Sequence, residues 1–401
     1  MSAPTGTGRQ PVWNRMTGRD PREGHRVSTP LELLFDLCFV VAVAQAAAVL
    51  HHAVSEGHFG TGVLGYAMVF FAIWWAWMNF TWFASAYDPD DVVYRLLILV
   101  QIVGVLVLAA GVPAAFGPGK DFGLVTLGYA IMRLALVALW LRAAREHPDG
   151  RACALRYAIG ITVVQAGWIL RLALPERAGL VGFFVLVLGE LAVPRWAERA
   201  RQTTWHPHHI AERYGLFFII VLGESILAAT RAIQSGLAAG IATGALLSVA
   251  LSGTVIVFSM WWLYFARPAH RILTSSKAAF RWGYGHYFIY SSAAAIGAGL
   301  AVAIDYGRHA SHVTAFAAGA AVAVPVAVFL ISLWAVHIRP HRPGPLLNAA
   351  LPAGAALVML TPLTRLPLPL IAVVIVAVVI ATHLTPTSAD PVGRSGPSTT
   401  A

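Results

Sequence analysis

A chain of 401 residues that is 58% hydrophobic and only 11% charged has too little polar surface to stay dissolved as a water-soluble globule. Its mean hydropathy of +0.69 and its recurring apolar runs of about 20 residues place it among polytopic α-helical membrane proteins. Transmembrane β-strands, which alternate in polarity, are excluded, and the balance of 28 Lys+Arg against 18 Asp+Glu reads as positive-inside topology and attraction to anionic lipid, with no nucleic-acid partner.

In chain order, residues 1–29 are polar and carry Arg9, Arg15, Arg19, Arg22 and Arg26. They lack an apolar h-region and a small-residue cleavage site, which predicts a cytoplasmic tail and not a removable signal peptide. Six spans are predicted over 31–50, 62–83, 92–112, 122–143, 153–172 and 179–195. Six more are predicted over 210–230, 241–265, 282–303, 312–336, 346–362 and 367–384. The Pro/Ser/Thr/Gly-rich stretch 385–401 reads as a disordered cytoplasmic tail. With the N-terminus inside, 21 Lys and Arg residues fall on the inner side and six on the outer, with Arg133 mid-span. That asymmetry places both termini in the cytoplasm and the protein in the cytoplasmic (inner) membrane. Cys38 and Cys153 lie inside apolar runs, so no disulfide framework is expected.

An internal repeat is also expected. At an offset of 180, Glu32 aligns with Glu212, each just inside the start of a span. A Trp pair follows one span later in each half, Trp74-Trp75 and Trp261-Trp262, and Tyr94-Arg95 matches Phe280-Arg281 at the next span. The expected fold is an all-α transmembrane bundle of about twelve spans in two parallel six-span repeats, residues 30–200 and 201–384.

Ionisable residues inside spans are costly, so each is a candidate for pairing or function. Thr29-Pro30-Leu31-Glu32 has the form of a capping box, and Asp36 lies one turn deeper on the same face. Asp88, Asp90 and Asp91 precede the third span, where they serve either as first-turn acids, Asp91 pairing with Arg95, or as an acidic cytoplasmic vestibule. Glu212 and Glu224 are twelve residues apart in one span, about 18 Å along the axis, and read as two stations on one path. Gly223 beside Glu224 predicts a close helix approach, and Ser225 adds a hydroxyl. Arg133 is expected to neutralise Glu190 or Glu224, His209 to accept protons, and His286 to face the cavity of Glu224. The run Trp74, Trp75, Trp77 and Trp82 reads as an interfacial aromatic belt. Neither His206, His208 and His209 nor His51, His52, Glu56 and His58 has zinc-site spacing, and no nucleotide-binding or hydrolase motif occurs, so neither metal nor cofactor is predicted.

Three stretches together resemble the bacterial low temperature requirement A family. They are Thr29-Pro30-Leu31-Glu32-Leu33-Leu34-Phe35-Asp36, Tyr87-Asp88-Pro89-Asp90-Asp91 through Arg95-Leu96-Leu97, and His209 to Leu227. The resemblance covers most of the chain in order and implies a multi-spanning bacterial membrane protein named for a growth phenotype. Phe35-Asp36 near the first span is also similar, without its Ser, to a potassium-channel motif that opens six-span repeats. The leading expectation is an ion or small-solute transporter or channel that uses Glu224, Glu212, Asp36, Glu32, Arg133 and Glu190, with a proton, cation or small solute as cargo. The competing expectation is a non-transporting membrane protein of cold or envelope-stress adaptation whose buried charges only pair. Lipid bilayer and a second copy of the chain are the other expected partners.

Overall fold

The computed structural model describes residues 11–20, 27–117, 120–341 and 344–384. Among these residues there are twelve helices long and apolar enough to cross a bilayer and no strands. In chain order they are α1 (Pro30–Ser55), α2 (Phe59–Ala86), α3 (Val92–Phe116), α4 (Gly123–Glu146), α5 (Arg151–Arg171) and α6 (Glu176–Glu198). Then come α7 (Pro207–Ala238), α8 (Thr243–Phe265), α9 (Ser276–Gly307), α10 (Ala315–Leu333), α11 (Pro345–Leu360) and α12 (Pro367–Leu384). Every predicted span is matched by one helix, so the protein is a multi-pass membrane bundle. The expected tail 385–401 lies outside the described residues.

The hub is α9, whose apolar window is 78% buried against 28% for α6 and for α7. Its run Ser291 to Ala303 is nearly all Ala, Gly and Ser, so neighbours approach backbone to backbone. A Cβ on Gly297 would lie 2.9 Å from the Ser225 Cα, and the Ser225 hydroxyl donates to the Ala293 carbonyl at 2.8 Å. The same device joins α3 to α4, where a Cβ on Gly104 would sit 2.7 Å from the Gly128 carbonyl oxygen. Alanine normally gains about 1 kcal/mol over glycine inside a helix. At position 104 the backbone behind it cannot yield, so Gly104→Ala is expected to reverse that sign and destabilise by about 1–3 kcal/mol. Thermal unfolding of the detergent-solubilised protein checks this, and a gain in midpoint would contradict it.

Part of the N-terminal tail is built into the fold. Residues 11–20 lie across the end of the bundle where α3 begins and α4 ends. The Met16 side chain is fully buried, its backbone N–H donates to the Glu146 carboxylate, and the Arg142 guanidinium stacks 3.9 Å from the Trp13 ring centre. Arg142 pairs with Asp91, which also accepts from the backbone N–H groups of Asn14 and Tyr94, both at 2.8 Å. Asp91 therefore pairs with Arg142 and not with Arg95. Arg95 bonds Asp90 instead, at 2.8 and 3.0 Å, because the cap geometry points Asp91 into the bundle.

Burial pushes the Asp91 carboxyl up, but the Arg142 pair and the two backbone donors outweigh it and hold Asp91 below the ordinary carboxylate range. A group depressed in the folded state contributes stability that is complete above its unfolded value, near 3.9, and is lost as pH falls through its lower folded value. Asp91→Asn is thus expected to cost about 2 kcal/mol at neutral pH. Unfolding midpoints of the two proteins should begin to converge as the pH drops below about 4 and should meet below the depressed folded value of Asp91. A gap that persists there would contradict the ion-pair account.

Candidate functional site

The first turns of α1 and α7 carry the most concentrated buried charge in the molecule. Thr29 begins α1 as a reciprocal capping box. Its hydroxyl accepts from the Glu32 N–H at 3.3 Å, and the Glu32 Oε2 accepts from the Thr29 N–H at 2.8 Å. Pro30 at the first helical position suits this start, since its missing N–H would have no helical partner there. Helix α7 begins in parallel fashion, with the His206 ring capping the His209 N–H and Pro207 at the first position. On each helix a four-residue spacing then places two polar side chains on one face, Glu32 with Asp36 and His209 with Arg213.

These four side chains meet. The Arg213 guanidinium grips Asp36 with two donors, Nε to Oδ2 at 3.1 Å and Nη2 to Oδ1. Trp77 of α2 donates its Nε1 to the same Oδ1 at 2.7 Å. The Glu32 Oε1 lies 2.9 Å from Arg213 Nη1 and 3.1 Å from His209 Nε2. Asp36, His209 and Arg213 are fully buried and Glu32 is 2% exposed, so all four are cut off from bulk water. Aromatic rings seal the cluster, with Trp77 stacked on Phe217 at 4.4 Å and Phe35 against Phe80 at 4.2 Å. Glu32 thus caps a helix and belongs to the cluster at once. Arg213, its central cation, is not among the site candidates expected from the sequence, although its spacing from His209 was the available signal.

A second buried charge lies among α2, α4, α5 and α6. Arg133 pairs with Glu190 at 2.9 Å and not with Glu224. Glu190 is surrounded by further donors, with Trp75 Nε1 at 2.8 Å, Tyr129 hydroxyl at 2.7 Å and Trp168 Nε1 at 3.1 Å. Four donors account for the four lone-pair positions of a carboxylate. Trp74, Trp75 and Trp77 are therefore core residues, two of them carboxylate donors, and not an interfacial belt. Trp261 and Trp262, aligned with Trp74 and Trp75 in the expected repeat, are by contrast exposed on α8.

The remaining candidates are spread out. Glu212 accepts from the Ser28 N–H at 3.2 Å, which ties the start of α7 to the residue before the α1 cap. Glu224 is half-buried farther along α7, and among the described residues no hydrogen-bond or ion-pair partner reaches its carboxylate. Beside it Gly223 faces open space, not the close helix expected, because this face of α7 is turned away from α9. Asp88 pairs with Arg19 at 3.4 Å, so each of the three vestibule acids meets an arginine. His286 packs within α9 against Tyr214, Tyr290 and Trp282, away from Glu224. Its Nδ1 bonds the Trp282 carbonyl at 2.7 Å and its Nε2 the Tyr264 hydroxyl at 3.0 Å. At the opposite end of α1, His51 meets Asp305 at 2.6 Å, joining α1 to α9. Cys38 and Cys153 are free thiols.

Comparison with known proteins agrees with this architecture. The family described as bacterial low temperature requirement A protein matches residues 27–383, almost the full helical bundle. A Rhizobium meliloti (strain 1021) protein described as uncharacterized is 30% identical over 274 residues, covering 64% of this chain. The match spans 64% of that relative's own length. No solved structure matches the chain. Both the residues matched and the twelve-helix bundle show that the chain belongs to the bacterial low temperature requirement A family.

Proposed function

We propose that this protein moves protons, cations or a small solute across the cytoplasmic membrane, with the cluster of Glu32, Asp36, His209 and Arg213 as its coupling site. One observation carries the reading. Two carboxylates, one guanidinium and one imidazole are brought within contact of one another, enclosed away from water between α1 and α7. Ionisable groups at such depth are costly to keep, and a buried cluster that includes an imidazole can take up and release a proton near neutral pH. His209 is the natural proton holder, because its imidazolium would then face Glu32. Glu224, about 16 Å farther along α7, is a second carboxylate station for the path. In this reading the chain has two six-span halves, α1 and α7 open them, and both termini are cytoplasmic, as the arginine distribution favours.

Reconstitution into proteoliposomes tests the proposal. An imposed pH or cation gradient should drive saturable flux that Asp36→Asn reduces at least about tenfold, without loss of folding, since removing one buried charge interaction of roughly 1.4 kcal/mol changes an equilibrium by that factor. If no proton, cation or small solute moves, and Glu224→Gln is silent in cells, the proposal fails. A second reading draws on Glu190, whose oxygens are fully occupied by donors. There the charges only hold the bundle together, and the protein adapts the membrane to cold or envelope stress without transport. Replacing both charges by neutral amides, Arg133→Gln with Glu190→Gln, would then preserve cellular function, because the amide oxygen at 190 still accepts from those donors.

A further inference from the structure

A narrow cleft opens between α2, α4, α5, α6 and α9, apart from both charge clusters. Its walls are mostly aromatic, built from Trp82, Trp140, Tyr157, Trp205, Phe280 and Tyr284. The rings are held by one another and not by the cleft's contents. Trp140 stacks on Tyr157 at 4.1 Å with a 6° interplanar angle, and Trp82 meets Trp205 edge-on at 5.2 Å while donating to the Tyr214 hydroxyl at 2.9 Å.

The lining holds one carboxylate and no basic side chain. Glu198 is the sole charged side chain, held by Tyr157 at 3.0 Å and by the Thr203 hydroxyl and N–H at 2.8 and 2.9 Å. Asn79 is 91% buried, and its amide nitrogen is committed to the Trp75 carbonyl at 2.7 Å. That leaves the Asn79 Oδ1 without a partner on the cleft wall. The buried Ser276 Oγ likewise has none. Arg195 lies 5.7 Å from the Tyr284 ring centre but lines the adjoining depression with Trp196 and Arg199, not this cleft.

We propose that this cleft binds an organic ammonium ion, an alkylated amine in its protonated form. Ring faces attract a weakly hydrated cation through their quadrupoles, and they do so most strongly where water is excluded. Glu198 supplies the opposite charge, and the Asn79 and Ser276 oxygens accept from an N–H group. An anion would meet Glu198 with no basic residue in the lining. A small hard metal ion would meet rings where it needs several oxygen ligands. A purely apolar molecule would leave the two orphaned oxygens unpaired, a loss that a polar site imposes on any ligand lacking the matching group.

The test uses trimethylammonium and its neutral isostere tert-butyl alcohol, titrated into the purified full-length chain in detergent and followed by tryptophan fluorescence. No gradient is present, so the result stands apart from any flux measurement. Trimethylammonium should give a saturable change that equimolar sodium does not. Glu198→Gln should weaken it about tenfold or more, as loss of a desolvated charge partner does. Trp82→Leu, on a different helix, should weaken it as well, with unfolding midpoints confirming that both variants are folded. The proposal is overturned if tert-butyl alcohol saturates at the same concentration, if neither folded variant weakens binding, or if trimethylammonium produces no saturable change.

Discussion

Arg213→Leu is expected to be the most damaging single substitution in this protein. The guanidinium supplies two donors to Asp36 and approaches Glu32 at 2.9 Å, and all three side chains are buried. Its loss leaves two carboxylates enclosed within one turn of each other, with no guanidinium between them. Removing one partner of a buried pair typically costs about 3–5 kcal/mol, since the other charge stays behind unpaired. The triple variant Glu32→Gln, Asp36→Asn, Arg213→Gln removes every formal charge while keeping volume and polarity. It should recover at least half of that loss, because well-packed neutral groups often replace buried ion pairs at little cost. Thermal unfolding in one detergent gives the comparison. If the triple variant is less stable than Arg213→Leu alone, the charge account of this site is wrong.

Glu190→Leu should rank next, also at about 3–5 kcal/mol. The carboxylate satisfies four donors from Arg133, Trp75, Tyr129 and Trp168, and it neutralises an arginine that is only 2% exposed. The double variant Arg133→Leu, Glu190→Leu should be more stable than Glu190→Leu, because no bare charge remains. It should still fall short of the native protein, since the Trp75, Trp168 and Tyr129 donors are left unbonded at about 1–3 kcal/mol each. Equal stability of the single and double variants would show that Arg133 reaches water or lipid headgroups once freed.

The two clusters differ in a way that bears on function. Arg133 and Glu190 balance to zero and every acceptor position is filled, which suits a fixed staple. The α1–α7 cluster sets two carboxylates around one guanidinium and adds an imidazole, a group that changes charge near neutral pH. A site that must gain and lose a proton needs such a group. A site that only braces helices does not.

Much of the architecture is determined by the sequence alone. Long apolar runs have no stable state in water, and their backbone groups must bond internally within lipid, so twelve runs of this length mean twelve helices. The local signal at the start of α1 also holds, because capping is settled within four residues, Thr29 with Glu32. What the sequence does not contain is which faces meet. Hydropathy is nearly uniform around these helices, since the lipid-facing side is as apolar as the packed side, so no stripe marks the interior. Trp75 and Trp77 are two residues apart and serve different carboxylates, Glu190 and Asp36, a division only the packing of α2 between them decides. The same holds for Glu224, which looked like the central acid of its span and lies half-buried on the outer face of α7, while Arg213 eleven residues earlier became the centre of the site. Tertiary contact decides such cases because a buried charge is placed by its partners, and those partners come from other helices.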